Sequence, residues 1–388
     1  MMRIGIEAQR LFRPHKHGMD RVALELIKNL QLLDKENEYF IFVKPDTDDA
    51  AIAETENFNI VEIKGGWYPI WEQLKLPKMA KLYNCDILHC TSNTAPIKAK
   101  TPLITTLHDI IFKENSVLKQ LTSSASWYQK IGNLYRRLIV NTVVQKSSQL
   151  ITVSNFEKQN ISNIYKLDKS KIQTVHNGVA LNFALTISAN KKEDVKRKYG
   201  LPKQFLLHLG NTDPRKNTAR VLTAFYKYVN STTEDIKLVL VGLNEIKLKA
   251  VLKAIDLEKE LADRIVLTGY VADEDLPVIF HLSEVFLFPS LREGFGIPII
   301  EAMACGVPVI TSNTSSMPEV AGDAACLIDP TSVESIVEAI VKIRLDESYK
   351  NELIEKGFGR YRSFSWENAA QKVLEIYQQY DHKNNQES

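Results

Sequence analysis

The stretch Leu291-Arg-Glu-Gly-Phe-Gly-Ile-Pro-Ile-Ile-Glu-Ala-Met-Ala-Cys-Gly306 narrows most what this chain can become. Before it, 284–289 is a short apolar run rich in aromatic residues, which reads as a buried strand. After it, 307–311 reads as another. Between them lies a helix with legible ends. Pro298 suits the first helical turn, where its missing N–H costs nothing, and Gly306 suits a left-handed C-terminal cap. The unit is therefore strand, glycine loop, helix, strand. In such units ligands bind at the carboxyl ends of the strands.

The loop carries the chemistry. Gly294 and Gly296 flank Phe295, so the backbone can come close to a ligand. The N–H groups and dipole of the helix start that follows favour a phosphate. Glu293 opens the loop, and Glu301 lies about one turn into the helix. A carboxylate offers acceptors only, which suits the hydroxyls of a sugar or a ribose.

The rest of the second half supplies cations. The strand 204–210 ends in glycine and runs into Asn211-Thr-Asp-Pro-Arg-Lys-Asn217, which opens a helix over 218–228. Arg215 and Lys216 thus sit near a helix N-terminus, where the dipole disfavours side-chain cations. A bound diphosphate removes that penalty. Strands 236–242 and 264–269 also end in glycine.

The first half alternates strands with helices. Strands are predicted at 3–7, 39–43, 59–63, 86–89, 103–107, 149–153 and 171–175. Alternation of this kind implies a parallel, doubly wound sheet. Gly18 opens an amphipathic helix ending near Leu33, a junction where a phosphate or an acceptor can approach. His89, His108-Asp109 and Ser154-Asn155 read as polar groups at or just past strand ends. The polar, lysine-rich residues 180–200 read as a linker with a short helix.

Composition bounds the class. A chain of 388 residues suggests two domains, and 44% hydrophobic content is that of a globular protein. The net charge of +2 gives no case for nucleic acid. Cys85, Cys90, Cys305 and Cys326 show no metal spacing, so buried reduced thiols are expected. The chain starts directly in a strand and no apolar run reaches transmembrane length, so a cytoplasmic location is expected. One segment, 115–150, has no acid but carries Lys119, Lys130, Arg136, Arg137 and Lys146 among Trp127, Tyr128 and Tyr135. A basic, aromatic helix of that kind can dock on an anionic membrane surface at the inner face of the cell membrane.

Glu293-x7-Glu301 enclosing Gly-Phe-Gly-x-Pro, followed by Glu-Ala-Met-Ala-x-Gly-x-Pro-Val, resembles the signature of family-4 retaining glycosyltransferases. The resemblance implies the GT-B fold, an α/β architecture of two Rossmann-like doubly wound domains facing a cleft. It implies an acceptor-side domain over 1–180 and a nucleotide-sugar domain over 200–364. A C-terminal helix at 365–388 would cross back to the first domain. Trp71-Glu-Gln-Leu-Lys-Leu-Pro77 and Asp86-Ile-Leu-His89 resemble a subgroup of bacterial mannosyltransferases that build surface polysaccharides.

Roles follow from the same resemblance. Arg215 and Lys216 would hold the leaving diphosphate, with Asn217 where glycine is commoner. Glu293 and the Gly294-Phe295-Gly296 backbone would hold the sugar, and Glu301 the ribose. Backbone around Val271 would meet the base, and His108 the donor sugar. Gly18 would line the substrate side. The implied reaction is retaining hexosyl transfer from a nucleotide diphosphate sugar to a glycan or lipid-linked glycan, with no cofactor and no metal. GDP-mannose is the donor the subgroup suggests. UDP-hexose, UDP-N-acetylhexosamine and a non-catalytic nucleotide-sugar binder are the alternatives.

Overall fold

The protein is described by a computed structural model covering residues 1–114 and 127–387, with side chains for all of these except 127–130 and 381–387. It divides into two compact units. The first comprises Met1–Gly178 with Trp366–Ser388, and the second Val179–Ser365.

The first unit is built on a seven-stranded sheet. Its strands are β1 (Arg3–Glu7), β2 (Glu38–Val43), β3 (Phe58–Glu62), β4 (Ile87–Cys90), β5 (Leu103–Leu107), β6 (Gln149–Thr152) and β7 (Ile172–Thr174). They lie in the order β3-β2-β1-β4-β5-β6-β7, and every pairing is parallel. The second unit has β8 (Phe205–Leu209), β9 (Lys237–Val241), β10 (Ile265–Gly269), β11 (Val285–Phe288), β12 (Val309–Ser312) and β13 (Cys326–Ile328). Their order is β10-β9-β8-β11-β12-β13, again all parallel.

Parallel strands are joined by crossovers, so helices cover both faces and the strands read as unbroken apolar runs. In β2, Tyr39 to Val43 are all buried. The helix Thr218–Asn230 turns Val221, Leu222, Phe225 and Tyr228 onto the second sheet's core. The doubly wound sheet predicted from strand–helix alternation in the first half is present, and the second unit has one as well. In each, the winding direction reverses once, between β1 and β4 and between β8 and β11. Ligands of open α/β sheets bind at such points, beyond the carboxyl ends of the strands.

Three segments differ from their sequence reading. Residues 180–200 are folded onto the second unit. Phe183 meets Phe280 at 5.9 Å and accepts a hydrogen bond from the Cys305 thiol on its carbonyl. His89 lies inside β4, with Nδ1 2.7 Å from Tyr377 Oη and Nε2 2.8 Å from Thr106 Oγ1. Burial first, then His108, pushes its pKa down to about 3, so this ring is a neutral structural tie. Around Trp71–Lys75 the chain makes a π-helical turn, in which Leu76 N–H bonds Trp71 O. Pro77 follows, and the wider turn spares the clash its ring would cause in an ordinary helix.

The last helix, Trp366–Glu387, belongs to the first unit and packs along Gly18–Leu33. Cys85, Cys90 and Cys305 are buried, whereas Cys326 is only half-buried. Part of the basic stretch 115–150, including Lys119, lies outside the described residues, as do the side chains of Trp127, Tyr128 and Lys130. Among the described residues no helix is long and apolar enough to cross a membrane.

Candidate active site

Three glycines close the strands on one side of the second sheet. Gly210, Gly242 and Gly269 end β8, β9 and β10, linked by Gly210 N–H to Val241 O and Gly242 N–H to Gly269 O. A Cβ at Gly210 would lie 2.8 Å from Leu243, so the close approach there requires glycine.

Beyond β8 the chain turns through a short 3₁₀ segment, Pro214–Lys216. Asp213 caps it, accepting from Arg215 N at 3.0 Å, and also takes Arg215 Nε and Nη2 at 3.1 and 2.5 Å. Burial alone would raise the Asp213 carboxyl, but these bonds hold it below its ordinary range. Asn217 then adopts the left-handed conformation, with φ of 61°. Its Nδ2 donates to Pro289 O at 2.9 Å and Pro330 O at 2.7 Å, tying the turn to the loops after β11 and β13. Leu291 N–H donates to Arg215 O at 2.7 Å.

The turn and the glycine loop meet through charge. Lys216 Nζ lies 2.6 Å from Glu293 Oε1, across 77 residues of sequence. The glutamate side chain is 13% exposed and the lysine 29%. The ammonium also sits over the Phe288 ring, 5.5 Å from its centroid. Below it, His208 donates from Nδ1 to Leu287 O at 2.8 Å, joining β8 to β11. Burial first, with Lys216 adding, pushes that histidine down to about 4, so no second cation competes beneath the lysine.

The glycine loop is held from β12. Ser315 Oγ donates to Glu293 O at 2.7 Å and accepts from Glu293 N–H at 3.2 Å. Ser316 Oγ donates to Phe295 O at 2.9 Å. Sequence reasoning missed both serines; the polar run after an apolar strand was the only signal. Phe295 points inward and packs on Phe364 at 5.5 Å, so the loop can offer a ligand its backbone but not that ring. Gly296, at φ of 105°, caps the helix Ile297–Ala304. A Cβ there would lie 3.1 Å from Ile299. Glu301 is on this helix, half-buried. Gly294 is half-buried too. Val271 is buried two residues past β10, farther along the sheet edge.

His108 and Gly18 belong to the first unit. His108 follows β5 and is buried. Its Nε2–H donates to Thr91 O at 2.8 Å, which leaves Nδ1 as an acceptor. Burial holds its pKa below the ordinary histidine range, so the ring is neutral at pH 7. The Asp20 carboxylate is near enough to oppose that shift, and it accepts from His17 N–H at the start of the Gly18 helix. Gly18 itself is exposed, with nothing within 4 Å of a Cβ.

Two Asp-x-Asp triplets occur, of the kind metal-dependent glycosyltransferases use, at 46–48 and 273–275. Asp48 pairs with Lys16, while Asp275 pairs with Lys191 at 2.6 Å and Lys198 at 2.7 Å. Among the described residues no three His, Cys, Asp or Glu side chains converge as a metal site needs.

Residues 191–360 match the family described as Glycosyl transferases group 1, and residues 17–183 match Glycosyltransferase Family 4. O-antigen chain mannosyltransferase B of Escherichia coli is 30% identical over 281 residues, 71% of this chain and 69% of that protein. Serotype-specific mannosyltransferase WbdA of Escherichia coli is 28% identical over 245 residues, which span 62% of this chain and 30% of that protein. Sucrose-phosphate synthase from Thermosynechococcus elongatus is similar in fold, at a TM-score of 0.74 and 18% identity. That match covers 99% of this chain and 100% of that one. The shared architecture is GT-B.

Proposed function

The chain belongs to the family-4 glycosyltransferases, and on that premise we propose that it moves mannose from GDP-mannose to a glycan or lipid-linked glycan acceptor, with retention and without a metal ion. The choice of mannose rests on the names of the two bacterial relatives. The Lys216–Glu293 pair at the reversal point of the second sheet carries the chemical part.

In the reaction the bond from sugar C1 to the diphosphate oxygen breaks, and charge gathers on the diphosphate. Lys216 has three N–H donors and spends one on Glu293. The others, the Arg215 guanidinium and the helix start after Gly296 serve the departing oxygens. Donors fixed where charge develops lower a barrier most. Glu293 and the backbone of Gly294, Phe295 and Gly296 orient the sugar hydroxyls. Glu301 accepts from the ribose, and backbone at Val271 meets the base. His108, in the first unit, is neutral and keeps Nδ1 as an acceptor. The acceptor hydroxyl bonds to C1 on the face the diphosphate leaves, and its proton passes to the diphosphate. No protein nucleophile is required, and the anomeric configuration is kept. A lipid-linked acceptor would bring the protein to the inner face of the cell membrane, with the helix Trp127–Lys146 as the docking element.

With GDP-mannose and an α-mannoside, the linkage formed is expected to be α and turnover to be unchanged by EDTA. Lys216→Ala is expected to lower turnover about 100-fold or more. A β linkage, or loss of activity in EDTA, contradicts the proposal.

A further inference from the structure

The first unit has a reversal point of its own, between β1 and β4, and an unusual set of side chains gathers there. Glu7 ends β1 and Arg10 follows it; Thr91 and Thr94 follow β4. Glu72 comes in from the π-helical turn, fully buried.

Four donors converge on the Glu72 carboxylate. Tyr68 Oη is 2.7 Å from Oε1, and the Thr94 hydroxyl shares that oxygen. Gln73 Nε2 is 2.8 Å from Oε2, which also takes the Tyr135 hydroxyl. The carboxylate is therefore saturated, and what it does is fix its donors. The Tyr68 and Tyr135 rings stand edge to face, 6.0 Å apart at 83°. Both are half-buried, with hydroxyls turned inward and part of each ring left to solvent. Arg10 lies over the Tyr68 ring at 5.2 Å, and its buried Nε–H has no acceptor among the described residues. Arg136 completes the group. Burial first, and Arg10 second, hold its guanidinium below its ordinary range.

A buried donor without an acceptor is costly, and a ligand oxygen would satisfy it. Glu7 is buried as well, pushed up to about 7 by burial first and Glu72 second. Sealed in beside the arginines, the Glu7 and Glu72 carboxyls would oppose an anionic group there. Arginine, acid and aromatic edge together suit a neutral, hydroxylated ring.

We propose that this cluster is the subsite for the acceptor's terminal sugar, a neutral hexopyranoside, with Arg10 touching its oxygens and Glu72 a positioning residue that fixes Tyr68 and Tyr135. The assignment of an acceptor rests on the transferase proposal above; the geometry is the first unit's own.

The test is binding of methyl α-D-mannopyranoside to the full-length protein by saturation-transfer NMR, with GDP binding followed in parallel by thermal shift. The sugar is expected to bind the wild type. Arg10→Ala and Glu72→Gln are each expected to raise its Kd at least tenfold and to leave GDP binding unchanged. Adding Tyr68→Phe to Glu72→Gln should weaken binding no further, because both remove one constraint. Arg10 is partly exposed, so its variant reads the site even if Glu72→Gln does not fold. An unchanged Kd in Arg10→Ala overturns the subsite. So does a wild type that binds GDP but not the sugar, or one that prefers inorganic phosphate or mannose 6-phosphate. A wild type that binds the sugar but not GDP leaves the subsite standing and overturns the donor proposal instead.

Discussion

Asn217 shows how one residue can hold a site together without touching its chemistry. Its left-handed backbone lets the chain pass from the Arg215-Lys216 turn straight into the helix Thr218–Asn230. Its side chain meanwhile satisfies two buried carbonyls from loops 72 and 113 residues away. Glycine would supply the first property and not the second. Asn217→Ala loses both and should cost about 2–4 kcal/mol, from strain plus unsatisfied carbonyls. Asn217→Gly keeps the backbone and should cost less. Urea unfolding of the two variants decides it; equal or reversed losses would contradict the division of roles. Lys216 and Glu293 carry the complementary lesson. Each was legible alone, as a cation near a helix start and an acid at a glycine loop. Their pairing was not, because nothing local links residues 77 positions apart.

The helix Ile297–Ala304 was the most legible element, because both its ends are written in backbone chemistry. Gly296 supplies the positive φ that opens it. At the other end Gly306 N–H reaches Met303 O and Val307 N–H reaches Ala302 O, the two bonds of a Schellman cap. Strands buried on both faces were equally plain, being apolar throughout. The π-helical turn at Trp71–Lys75 was not, since a shifted helical period leaves no separate mark in an apolar and charged run. Ser315 and Ser316 were missed because a serine that braces a backbone looks like any loop serine. The helix Trp127–Lys146 leaves Leu134 47% and Leu138 69% exposed on one face, with Arg137 beside them. An exposed apolar edge flanked by cations suits an anionic lipid surface. More protein should therefore sediment with anionic vesicles than with neutral ones, and Leu138→Asp should reduce the difference. Equal recovery from both would sink the docking proposal.

In the whole molecule, one winding pattern is used twice, and each copy gathers its polar side chains where the winding reverses. In the second unit that place holds Lys216 and Glu293; in the first it holds Glu7 and Arg10. Each unit has its own sheet and core, and the last helix, running from Trp366, completes the first through Tyr377 and His89. The donor machinery is accordingly assigned to the second unit, and that assignment is the central claim. Its most direct test is the thermal shift of wild type and Lys216→Ala with GDP, UDP and ADP. A hundredfold excess over Kd stabilises by about 2.7 kcal/mol. GDP should raise the wild-type Tm most, and Lys216→Ala should lose most of that rise. A larger shift with UDP would keep the site and replace the mannose donor. No shift with any nucleotide, or a full GDP shift in Lys216→Ala, would contradict the claim.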